Sequence, residues 1–124
     1  MIHLDFYRDV DERYFAFEME GHADYADYGE DIVCAALTAL ATSCIGAMTD
    51  LLELDVNYVA GPGLITLEVL KLGTRKPEME DKIDLMFRSF ELGARQVLES
   101  IEDGDEWIEM KTLEMSEEEY NAED

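Results

Sequence analysis

Apolar and polar side chains alternate along residues 2–7 (IHLDFY) and again along residues 13–19 (RYFAFEM), with an Asp-Glu turn between them. A period of two marks half-buried strands, so this opening predicts an antiparallel hairpin. From Asp31, placed as a cap or first-turn acid, the spacing changes. Val33, Leu37, Leu40, Cys44, Met48, Leu51 and Leu52 recur at three- and four-residue steps, which predicts a helix to about residue 53 with one buried face. Residues 54–60 and 64–70 flank Gly61-Pro62-Gly63, a strong turn signal, and read as a second hairpin. Met79, Ile83, Met86, Phe87, Phe90, Ala94, Val97, Leu98 and Ile101 follow the helical step to a stop at Gly104. Residues 107–113 (WIEMKTL) alternate once more as a last strand.

The predicted order is therefore β-β-α-β-β-α-β. Paired strands separated by single helices indicate an α+β fold of two layers, a mixed β-sheet packed against two helices. Residues 1–115 read as one domain, and residues 116–124 as an acidic tail expected to fray.

Composition narrows the class. A chain of 124 residues can bury a core without staples, and two cysteines do not make a disulfide framework. Without an apolar leader at the start, a soluble cytoplasmic protein with reduced thiols is expected. The most apolar run, residues 32–48, is interrupted by Thr38, Thr42, Ser43 and Gly46, and reads as a buried helix rather than a membrane span. The formal charge of −22 argues against direct contact with nucleic acid or anionic lipid and favours a basic partner or simple solubility. Acids concentrate late in the chain: residues 97–124 hold twelve of them against one lysine, Lys111.

Chemistry concentrates in GHADYADYGEDIVCAALTAL, residues 21–40, which places His22 twelve positions before Cys34. Cys34 falls in the first turn of the predicted helix, where the positive end of the dipole favours a thiolate, while the four acids between His22 and Cys34 oppose it. At about 100° per residue, Cys44 lies near the centre of the apolar stripe and Cys34 roughly 60° off it. Cys44 thus reads as a buried structural cysteine and Cys34 as an accessible one. Thr38 sits one turn below Cys34, with its hydroxyl beside the thiol or bonded back to the helix. A thiol protease needs a histidine to take and return a proton, and N–H donors for the oxyanion. His22 on a segment bent by Gly21 and Gly29, backbone N–H groups around Val33 and Cys34, and Asp31 as an orienting group would compose such a site. An accessible Cys34 of lowered pKa also fits a redox-sensing thiol. No spacing matches a closed zinc site, and no metal or other cofactor is expected.

The longer string is more specific. Gly21-His22-Ala23, then Tyr28-Gly29, then Asp31-Ile32-Val33-Cys34-Ala35-Ala36 closely resembles the hallmark of the ribosomal-processing cysteine protease family, Prp. The resemblance extends to the chain length, the opening hairpin, the two-helix layout and the acidic end. It implies a homodimeric endopeptidase of the bacterial cytoplasm. Its partner would be the amino-terminal extension of a basic large-subunit ribosomal protein, the twenty-seventh, which it removes after a short aromatic-rich segment. In that family the motif's cysteine is the nucleophile and its histidine the general base and acid, which carries over to Cys34 and His22. A hydrophobic cleft would lie beside the loop. Thr38 stands where the family usually has serine, keeping the hydroxyl. The alternative from another class is a non-catalytic acidic protein that binds a basic ribosomal partner, with binding weakened by salt and indifferent to Cys34 and His22.

Overall fold

Both predicted hairpins form, and they lie side by side in one sheet. In the computed structural model, which describes residues 1–22, 32–71 and 74–122, β1 (Ile2–Arg8) pairs antiparallel with β2 (Tyr14–Gly21). β3 (Val56–Gly61) pairs in the same sense with β4 (Leu64–Val69). The hairpins join through antiparallel β2 and β4, while β5 (Ile108–Glu114) returns parallel to β1. The resulting five-stranded order is β3-β4-β2-β1-β5. With α1 (Ile32–Gly46) and α2 (Pro77–Ser100), this is the expected α+β fold with a mixed sheet.

Alternation decides which strand residues face the helices. Leu4 and Phe6 on β1, Phe17 and Met19 on β2, and Ile65 and Leu67 on β4 are buried in one core with Val33, Leu37 and Ala41 of α1. α2 adds Ile83, Phe87, Phe90 and Ala94, spaced as its apolar stripe requires. The Phe90 ring packs edge-on against Phe17 and Phe6, with centroids 4.8 and 5.3 Å apart.

The first helix departs from its expected course near its end. α1 passes into a π-helical turn at Ala47–Leu51, where each turn holds an extra residue. The apolar face therefore rotates: Met48 stays fully buried, but Leu51, expected inside, is 79% exposed. The apolar stretch Ile32–Leu51 is long enough to cross a membrane by length and composition, yet its inward side forms the core and a third of it is buried. Ile32, Ala35 and Ala39 face outward. Gly46 has ordinary helical angles (φ −60°, ψ −37°), and a Cβ there would meet nothing within 4 Å. Gly46→Ala is therefore expected to raise stability by about 0.5–1 kcal/mol, read as a higher urea midpoint at unchanged slope, and a lower midpoint would contradict it.

The expected frayed tail is instead a short helix, α3 (Glu117–Ala122). Ser116 and Glu119 form a reciprocal cap: Ser116 Oγ accepts from the Glu119 N–H at 3.1 Å, and Glu119 Oε1 accepts from the Ser116 N–H at 3.5 Å. Three acids in the first turn suit the positive end of the helix. α3 packs on the sheet face opposite α1 and α2. There the Tyr120 ring meets Tyr7 and Phe15, and its hydroxyl donates to Glu18 Oε2 at 2.7 Å.

This face also makes stability depend on pH. Burial raises the carboxyls of Asp5 and Glu117 above their ordinary 3.8 and 4.5. A carboxyl with a raised folded value binds its proton more tightly folded than unfolded, so stability increases as pH falls through that value. Glu109 is shifted the other way, first by its hydrogen bond from His3, so its contribution is lost only below its ordinary 4.5. Between neutral pH and about pH 5 these signs predict a more stable protein in mild acid, and reduced self-repulsion acts in the same direction. A urea midpoint that falls over that interval would refute this.

Candidate active site

His22 emerges where three strand ends meet. Gly21, the last residue of β2, pairs with Ile2 at the start of β1 and donates its N–H to the Gly63 carbonyl oxygen at 2.9 Å. Its φ of +98° is glycine territory, and a Cβ there would run into the Met1 carbonyl oxygen. β2 can therefore turn out of the sheet only through glycine. The turn delivers His22, exposed, between the amino end of β1 and the β3–β4 turn.

Cys34 arrives from the other layer, as the third residue of α1 and half-buried. It stands at the positive end of the α1 dipole, an environment that favours an anion. Thr38 and Thr42, one and two turns on, share its stripe. The Thr42 hydroxyl is already committed, donating to the Thr38 carbonyl at 2.8 Å. His22, Cys34, Thr38 and Gly21 all line a single cavity of about 340 Å³, completed by apolar Ile2, Met19 and Leu64 and by the β3–β4 turn. In a chain of charge −22, none of the described lining residues is an acid. The cavity lies beside His22 and Cys34 and is mostly apolar.

Val33 is buried in the core and does not line this cavity. Gly29 and Asp31 lie outside the described residues, and with them the orienting role expected of Asp31. Neither cysteine is in a disulfide. Cys44 is buried, its Sγ 3.9 Å from the Met86 carbonyl oxygen, and burial pushes its thiol up to about 12. A thiol held so far above neutrality is a poor nucleophile. The helical-wheel distinction between the two cysteines is therefore physical. Among the described residues, no three His, Cys, Asp or Glu side chains gather closely enough to hold a metal ion.

Beyond Gly21, His22, Cys34 and Thr38, the cavity is lined by residues that the motif did not point to, among them Thr42, the Gly61-Pro62-Gly63 turn, Met19 and Leu64. Thr42 was visible in principle, lying eight residues from Cys34 on the same stripe. The Gly61-Pro62-Gly63 turn was legible as a turn, but nothing local places it next to His22. That neighbourhood follows from β4 pairing with β2, where Leu64 sits opposite Glu20.

A family model described as "Cysteine protease Prp" matches residues 1–106. The Bacillus subtilis ribosomal processing cysteine protease Prp is 40% identical over 48 residues, covering 39% of this chain and 43% of that protein. Its Staphylococcus aureus namesake is 43% identical over 42 residues, 32% of this chain and 40% of that protein. The matched segments thus span less than half the length of these curated relatives. In fold, the chain is similar to the crystal structure of an essential ribosomal processing protease Prp from S. aureus in complex with a covalently linked product peptide. The TM-score is 0.73 at 23% identity, covering 91% of this chain and 100% of that one.

Proposed function

This chain belongs to the cysteine protease Prp family, and from that premise we propose that it is a cytoplasmic thiol endopeptidase that removes the amino-terminal extension of a basic large-subunit ribosomal protein, the twenty-seventh. The observation that carries this reading is the convergence of His22 and Cys34, from different layers of the fold, on one apolar cavity.

The chemistry follows from those two side chains. His22 takes the proton of the Cys34 thiol, and the thiolate attacks the scissile carbonyl carbon to form a tetrahedral oxyanion. Negative charge developing there is favoured by the positive end of α1, at the N–H groups around Val33 and Cys34. Collapse breaks the C–N bond, and the proton held on His22 leaves with the amine. The remaining thioester is hydrolysed by a water that His22 deprotonates, which frees the new carboxylate and restores the thiol. An apolar cleft suits an aromatic-rich segment on the acyl side of the cut. The strong negative charge favours encounter with a basic ribosomal substrate. The outward apolar residues Ile32, Ala35 and Ala39 of α1 support a homodimer formed through that helix.

The test incubates the protein with a peptide spanning such an extension, an aromatic pair preceding a small residue, and follows cleavage by mass. Cleavage that requires both Cys34 and His22 supports the protease. Absence of cleavage, with salt-sensitive binding that ignores both residues, would establish the acidic binding protein instead.

A further inference from the structure

We propose that Gly63 is a positioning residue for His22, with the β3–β4 turn serving as the shelf on which the imidazole rests. The inference deepens the protease reading above and depends on it.

Glycine at this position has an ordinary explanation, since its φ of +74° after Pro62 fits a type II turn. A second feature goes beyond the turn. A Cβ built on Gly63 would lie 2.9 Å from Nε2 of His22, 3.4 Å from Cε1 and 3.7 Å from Cδ2. The ring therefore occupies the space that any side chain at residue 63 would fill. Nε2 is the nearest of the three atoms, so displacement would be greatest at a nitrogen that carries protons. The same residue also holds the backbone of this corner, because its carbonyl accepts the Gly21 N–H directly before His22.

Neighbouring Gly61 provides the contrast. A Cβ there would meet only the Leu64 carbonyl oxygen, at 4.0 Å, and Gly61 is not in the left-handed region. The demand for a bare Cα is thus specific to the residue under the imidazole. His22 is exposed, and the turn at Gly63 lies against its ring.

The two explanations separate experimentally. Asparagine tolerates the left-handed backbone but still carries a Cβ. Gly63→Asn therefore relieves the turn and keeps the clash, and it keeps the test open if Gly63→Ala fails to fold. Wild type, Gly63→Asn, His22→Ala and the double variant would be compared in peptide cleavage. Each would also be compared in the pH profile of Cys34 alkylation by iodoacetamide, read by peptide mass. A catalytic group misplaced by about 1 Å costs roughly 10²-fold. Gly63→Asn is expected to lose kcat on that scale at little-changed KM and to show the alkylation profile of His22→Ala. Adding it to His22→Ala should change neither readout further. Gly63→Asn with wild-type kcat and profile would overturn the proposal and leave glycine needed for the turn alone. If His22→Ala itself left cleavage and alkylation unchanged, the His22–Cys34 pair would be wrong, and the shelf would fall with it.

Discussion

Cys34→Ala is expected to abolish peptide cleavage, by a factor on the order of 10⁴ or more, while leaving the protein folded. The size of the effect comes from the role proposed for Sγ, since without it no thioester can form and nothing else in the described cavity is a comparable nucleophile. The small structural cost comes from position. Cys34 is only half-buried in the first turn of α1, and alanine is a good helix former. Cys44→Ala should behave in the opposite way. Its sulfur is enclosed by the core between α1 and α2, so its loss costs about 1–2 kcal/mol of stability and leaves cleavage intact. Initial rates and urea midpoints on both variants decide the matter. Near-normal cleavage by Cys34→Ala, or loss of cleavage in a folded Cys44→Ala, would show that the two cysteines have been assigned the wrong way round.

His22→Ala should be the next most damaging change, lowering kcat roughly 10²- to 10⁴-fold with KM little altered. The imidazole is exposed at the cavity rim and contributes little to the core, so the loss would belong to proton transfer rather than to folding. The pH dependence distinguishes this from a binding defect. Without a base, the thiolate forms only by ionisation of the thiol itself, ordinarily near 8.5. The variant's residual rate should therefore keep climbing above neutral pH, where the wild-type rate has levelled off. Parallel profiles for the two proteins would remove His22 from the proton path.

Much of the fold is legible along the chain because its cause is local. Alternation in β1, β2, β4 and β5 and the helical step of Ile83, Phe87, Phe90 and Ala94 each require only that one face be apolar, and the buried residues follow. The α3 cap was legible too, as Ser116 followed three positions later by Glu119, but the surrounding acids read as a solvated tail. What makes the helix stay is distant: Tyr7, Phe15 and Glu18 provide the surface for Tyr120. Leu51 failed in a similar way, because a single π turn breaks the period that a helical wheel assumes.

The site divides along the same line. The order of residues in 21–44 by itself determined the candidate pair and the accessible and buried cysteines. The pair rests on the motif string and the two cysteines on helix periodicity, whereas the need for glycine at position 21 depends on Met1, brought beside it by the pairing of β1 with β2. Only the tertiary structure decided that the Gly61-Pro62-Gly63 turn lies under His22 and that Met19 and Leu64 wall the cavity. Those neighbours lie up to 45 residues apart and meet because β4 hydrogen-bonds to β2, a choice made by which apolar faces can be covered together.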